Sequence, residues 1–307
     1  MELHMILACP GKALIRGPGR DGPGRDIAPP PRPKPPAGTV TALLSGQRGD
    51  GGFGVHPTAS GPARTGGWSP WSSWGIPPGE PRTVAAANHV LAWLASPGRR
   101  VPVAGGLTRA HASIEGNALA VCCRLGLAAD RRVQVLAEAL IGWQWPDGGW
   151  NCDPAATRRS SFHESLAPAW ALHEYGQATG DTTARDTAGR AAELFLTHRL
   201  FRSLATGQMI NRAWLAPRYP PYWQYDILHA LLVLSRMGKA VDPRTGDALD
   251  ELERRRRPDG RWQPGGYWWK PPTSSITPEV VDWGRSGPNE RIALNALRVL
   301  RAASRLT

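Results

Sequence analysis

Four side chains between residues 152 and 229 are of the types that ligate zinc: Cys152, Asp153, His163 and His229. A loop cysteine and carboxylate followed by helical histidines could converge on one ion. His163 next to Glu164 could instead orient a substrate or cap its helix, and His229 could simply face a cavity. Two carboxylates have contexts that suit acid chemistry. Asp153 lies in WNCDPAATRRSSFHES and Asp226 in YPPYWQYDILHALLVL, at the threshold of an apolar run. A carboxyl group kept protonated by apolar surroundings can deliver a proton, with His163 and Tyr225 as supporting groups. The same two aspartates also read as a turn residue before Pro154 and as a helix cap.

Arginines supply the most repeated polar chemistry. Arg158 and Arg159 follow a tryptophan-rich turn, and Arg199, Arg202 and Arg212 follow in the next segment. Guanidinium groups of this kind bind phosphate, diphosphate or carboxylate bidentately, or form a solvated rim. The 14 tryptophans outnumber the 9 other aromatic residues, so indole surface has a particular use here. Trp143, Trp145, Trp150 and Trp262 belong to turns. Trp71, Trp74, Trp214 and Trp223 occur around proline-bearing loops and, with His229, suit the lining of a ligand cavity.

These side chains need a scaffold, and the composition bounds it. With 307 residues, 41% of them hydrophobic, the chain can bury a substantial core. The net charge of +12 favours anionic surroundings; without a recognition helix or stacking motif it is not a nucleic-acid signal, and peripheral membrane association is compatible with it. Four cysteines without recurrent spacing suggest a reducing, cytoplasmic setting. Cys122 and Cys123, in an apolar run, read as core thiols. The first 38 residues, rich in proline, glycine and arginine, read as a flexible leader, and residues 39–307 as one folded domain.

Apolar positions recurring at three and four residues predict helices at 82–95, 109–125, 131–143, 162–175, 184–199, 225–237, 247–256 and 290–303. Strand-like alternation is scarce, so the class is all-α. In the last helix Arg291 and Arg298 are expected at outward or rim positions. Between helices a turn recurs: LLSGQRGDGGFG at 43–54, LIGWQWPDGGW at 140–150 and LERRRRPDGRW at 252–262. Asp accepts local backbone hydrogen bonds and the following Gly tolerates positive φ. Units of this kind expose apolar faces unless they stack.

The WQWPDGGW segment at 143–150 and its two partners resemble the QW repeats of the squalene cyclase and protein prenyltransferase superfamily. The resemblance extends over residues 40–303, and over 140–303 to small bacterial squalene-cyclase-like proteins. It implies an α/α toroid, here an incomplete or compact ring. It also implies an isoprenoid or polyprenyl substrate, or another apolar ligand with an anionic group. The main expectation is a nonstandard terpene cyclase in which Asp153 or Asp226 starts acid-initiated chemistry, with His163 and Tyr225 in support and no cofactor. Neither DxDD nor DDxxD occurs in the chain. Two alternatives stand beside it: a noncatalytic helical module binding a peptide or isoprenoid, and a zinc-dependent prenyltransferase-like enzyme. In the latter the family's Asp-x-Cys would correspond only loosely to Cys152-Asp153.

Overall fold

A computed structural model describes residues 37–53, 76–97, 99–155, 158–268, 281–285 and 287–306. The first 36 residues of the expected leader, and Trp71 and Trp74, lie outside them. Among the described residues the structure is helical: α1 (Ala37–Leu44), α2 (Pro81–Leu94), α3 (Ala112–Arg124), α4 (Arg131–Trp143), α5 (Phe162–Thr179), α6 (Thr182–Thr197), α7 (Ile227–Arg236), α8 (Gly246–Arg254) and α9 (Glu290–Ala302). A two-stranded hairpin, Val103–Ala104 with Leu107–Thr108, precedes α3. Arg131–Trp143 is a helix with the expected bounds. The 109–125 helix begins only at Ala112, because the hairpin occupies the residues before it.

Caps set the helix starts. Glu80, Asp130, Ser161, Asp181, Asp226 and Asn289 each accept backbone N–H bonds from the first turn of the helix they precede. The apolar faces then sort into rows. Helices α3, α5, α7 and α9 contact one another in succession, while α4, α6 and α8 each pack against the helix preceding them in the chain. The contacts thus describe an arc of helical hairpins.

The three Asp-Gly turns are one device repeated. Arg48, Trp145 and Arg257 donate backbone N–H bonds of 2.8–2.9 Å to Gly52, Gly149 and Arg261. Asp50, Asp147 and Asp259 each accept from the N–H two residues on, and the glycines after them have φ of +80°, +95° and +79°. Trp150 and Trp262 each reach ten residues back to a carbonyl, Leu140 and Leu252. Gln47 and Gln144 do matching work, each clamping the turn glycine's carbonyl and one carbonyl of another helix, Arg82 in α2 or Thr187 in α6.

α3 and α5 lie parallel at nearly constant register. Ser113 meets Glu164, Gly116 meets Pro168 and Arg124 meets Glu174. The approach is close because Gly116 has no side chain: a Cβ there would lie 2.6 Å from the Pro168 nitrogen and 2.7 Å from the Ala167 carbonyl carbon. Backbone atoms cannot swing aside as a side-chain tip can. We expect Gly116→Ala to cost about 1–3 kcal/mol by overpacking. Gly189→Ala, in α6 with open space around it, should be neutral or stabilising by up to about 1 kcal/mol. Urea unfolding of both variants checks this, and equal effects would contradict the close approach.

Candidate metal centre

The parallel register brings the N-terminal ends of α3 and α5 together, and three metal-ligating side chains meet there. His111 is the N-cap residue of α3, Glu164 lies in the first turn of α5, and Cys152 comes from the loop between α4 and α5. One ligand atom from each lies within 4.8 Å of the other two. Among the described residues this is the cluster of three such groups.

Each side chain is positioned by the backbone around it. The hairpin before α3 is pinned when Trp145 Nε1 donates to the Thr108 carbonyl at 2.8 Å, and this fixes how the chain enters His111. The Cys152 loop is tied at its base, where Ser161 N–H donates to the Trp150 carbonyl and Asp147 accepts from the Ser160 N–H and hydroxyl. Glu164 is buried. Its Oε2 accepts from the Ser113 N–H at 2.9 Å, leaving Oε1 3.3 Å from His111 Nδ1.

Burial works against the Glu164 carboxylate, yet His111 and the Ser113 N–H hold it below the ordinary carboxylate range. Hydrogen bonding to Cys152, and then to Glu164, pushes the His111 imidazole up to about 10. A divalent cation bound among the three would have to displace the proton that His111 carries. Two ligands on a tetrahedral zinc, each about 2.0–2.3 Å from the ion, stand about 3.3–3.8 Å apart. The His111–Glu164 spacing is already in that range, and the third ligand needs only to close by about 1 Å.

The expected set of Cys152, Asp153, His163 and His229 is corrected at three positions. Asp153 closes a turn, accepting from the Ala155 N–H at 2.9 Å. His163 and Glu164 are successive residues on α5, so about 100° of helical rotation separates them. Glu164 therefore faces α3 while His163 faces the loop before α7, where its Nδ1 accepts from the Tyr225 N–H at 3.0 Å. His229 lies on α7. His111 and Glu164 were not among the expected ligands. Their signal was positional: each occupies the start of a helix, and the two helices turn out to run parallel.

The expected acid apparatus is also differently connected. Asp226 is buried, but its two oxygens accept from the backbone N–H groups of His229 and Arg218. Tyr225 donates its hydroxyl to the Leu200 carbonyl at 2.6 Å. Around them Phe162, Phe195, Trp214 and Tyr225 form a buried aromatic cluster, Phe162 and Trp214 stacked at 4.9 Å. The half-exposed Trp223 sits 5.5 Å from His163. Of the arginines, Arg202 pairs with Asp247 and lies over Phe201. Arg158 and Arg159 are exposed, and the Arg159 carbonyl accepts from Asn151. Cys122 and Cys123 are buried, and burial pushes the Cys122 thiol up to about 12. No described helix is long and apolar enough to cross a membrane.

Asp226 and His229 share a cleft bounded by Trp170, Tyr219, Leu232 and Ile292, and burial acts on them oppositely. It raises Asp226 to about 6 and lowers His229 to about 4. For Asp226 the folded value exceeds the unfolded one of about 3.9, so its contribution to stability is lost as pH rises from about 4 to 6. For His229 the folded value is below about 6.5, so its contribution is lost as pH falls from about 6.5 to 4. The two offset each other in the native protein. Asp226→Asn should therefore gain stability relative to the parent as pH rises through this window, and His229→Gln should lose it, each by up to about 3 kcal/mol. Urea titrations at pH 4, 5, 6 and 7 test this; variant curves parallel to the parent's would contradict it. No protein-family model matches the chain, and no curated protein matches it.

Proposed function

We propose that this chain is a zinc-dependent helical protein whose His111, Cys152 and Glu164 hold the ion and leave one coordination position for a ligand. The observation that carries this reading is the convergence of an imidazole, a thiol and a carboxylate within 4.8 Å. Three protein ligands with a fourth position open is the pattern of zinc sites that act on substrates, whereas structural sites are closed by four. An ion bound there supplies Lewis acidity and favours the deprotonated form of a water or thiol placed next to it.

The chain's own residues supply the surroundings. His111, with its side chain 67% exposed, leaves the centre open on one side. The Ser113 N–H fixes which Glu164 oxygen remains available. On the adjacent face of the first turn of α5, His163 leads into the aromatic wall of Trp214, Tyr225 and Trp223. A ligand with an apolar body, isoprenoid or otherwise, suits that wall. The arc of hairpins is in keeping with an incomplete α/α toroid, and a thiol ligand suits a reducing compartment. This reading is preferred to acid-initiated cyclisation because Asp153 and Asp226 are bound to turn and cap N–H groups.

The same trio favours a second reading, since His111 lies beside both Cys152 and Glu164. Without metal it is a thiol beside an imidazolium that favours its thiolate, with a carboxylate orienting the ring, the constellation of a cysteine nucleophile. One experiment separates the two. The full chain is stripped with chelator and reconstituted with zinc; about one ion per chain is expected, together with protection of Cys152 from iodoacetamide. His111→Gln, Cys152→Ser and Glu164→Gln should each weaken zinc binding at least tenfold while Asp153→Asn and His163→Gln leave it unchanged. Absence of zinc uptake, with fast alkylation of Cys152 that is lost in His111→Gln, would overturn the metal reading in favour of the nucleophile.

A further inference from the structure

Two of the repeated turns hand the chain to a following helix in the same way. The Trp150 carbonyl accepts from the Ser161 N–H at 2.8 Å, and the Trp262 carbonyl from the Asn289 N–H at 2.9 Å. Ser161 and Asn289 are the N-cap residues of α5 and α9. Both tryptophans also donate Nε1 to the carbonyl ten residues back. These bonds are common to the repeat. Once they are set aside, the second turn keeps a further set of ties, and all of them bear on the stretch that carries Cys152.

The first tie is Asn151. Its Oδ1 accepts from the Asp153 N–H at 3.0 Å, and its Nδ2 donates to the Arg159 carbonyl at 2.8 Å. One amide thus brackets Cys152 from the residue before it to the residue after it, and joins that bracket to the returning limb of the loop. Asn suits this place because its carbonyl closes a local turn while its NH2 group remains able to donate elsewhere. The second tie is Ser160, next to Arg159, whose N–H and hydroxyl both reach Asp147, at 2.8 and 2.5 Å. The third is Ser165, whose hydroxyl accepts from the Trp150 N–H at 2.9 Å and donates to the Ser161 carbonyl at 2.6 Å. Gly149 makes room for both serines: a Cβ there would lie 2.5 Å from Ser160 Cβ and from Ser165 Oγ. At the Asn151 position the first turn has Gly54 and the third has Gln263, and Arg261 stands where Gly149 does.

We propose that Asn151 is a positioning residue of the metal centre, holding Cys152 toward His111 and Glu164, and that the Asp147–Ser160 pair locks the limb to which Asn151 is tied. This role presupposes the zinc reading above. A cysteine on a slack loop would lose backbone freedom as the ion bound, whereas one already bracketed meets the ion with little reorganisation. Asn151 touches none of the three ligand side chains by its own hydrogen bonds and acts through the backbone on either side of Cys152.

The test uses cobalt(II) in place of zinc, because a thiolate ligand gives cobalt a near-ultraviolet charge-transfer band that imidazole and carboxylate ligands do not. The full chain should bind about one cobalt and show the band, with Cys152→Ser as the reference without it. In Asn151→Ala the Kd for cobalt should rise about tenfold or more and the band per bound ion fall by roughly half, since His111 and Glu164 still bind while Cys152 no longer holds its place. Asn151→Asp keeps the acceptor for the Asp153 N–H but not the donor to Arg159, and should fall between parent and Asn151→Ala. Ser160→Ala should raise Kd about threefold, the worth of one hydrogen bond, and Gln263→Ala should leave Kd and band unchanged. In metal-free protein the Ser160 amide, which keeps its Asp147 acceptor, should exchange with solvent about threefold faster or more in Asn151→Ala than in the parent. Parent-like affinity and band in Asn151→Ala would overturn the proposal and leave the zinc reading standing. Absence of cobalt and zinc uptake by the parent would overturn the zinc reading by itself; Ser160 exchange then decides whether Asn151 holds the loop, and an unchanged rate would overturn that too.

Discussion

The candidate site depends on the close parallel packing of α3 against α5, and that packing depends on a missing side chain. Gly116 allows the α3 backbone to approach Ala167 and Pro168 at distances no Cβ would permit. At one end of the contact this places the Ser113 N–H on Glu164, and at the other Arg124 on Glu174. The register is therefore fixed at three points along the pair. A side chain at 116 would part the helices and separate His111 from Glu164.

Helix direction gives the interior its polarity. The N-terminal ends of α3 and α5, with N–H groups pointing out of the helix, favour acidic groups, and Glu164 and Cys152 gather there. The C-terminal ends of α3 and α7 favour cations, and Arg124 and Arg236 stand there. The repeated turns maintain this arrangement. Each returns the chain after a helix, and its tryptophan or glutamine ties the turn to carbonyls of the flanking helices. The candidate metal ligands at one end and the Arg124–Glu174 ion pair at the other are both positioned by one packing scheme.

Much of the scaffold was legible in the sequence because helix periodicity and Asp-Gly turns are local signals. Arg131–Trp143 and the three turns are examples; the turn hydrogen bonds repeat position by position. Pairing between helices is not local, and that is where residue choices diverged. His163 and Glu164 are neighbours in sequence, yet helical rotation sends one to Tyr225 and the other to His111. Asp226 looked equally like an acid and a cap, and its two N–H bonds make it a cap. Asn295 on α9 is polar like the rim residues around it, yet it lines the cleft beside Trp170 and Arg236, a placement that depends on how α9 packs and not on its own periodicity.

The central claim is that one ion sits among His111, Cys152 and Glu164. X-ray diffraction from zinc-soaked crystals of the full chain, recorded on both sides of the zinc absorption edge, tests it directly. A single strong anomalous peak is expected about 2.0–2.3 Å from an imidazole nitrogen of His111, Cys152 Sγ and Glu164 Oε1. A peak at Asp153, His163 or His229 with none at that trio would contradict it.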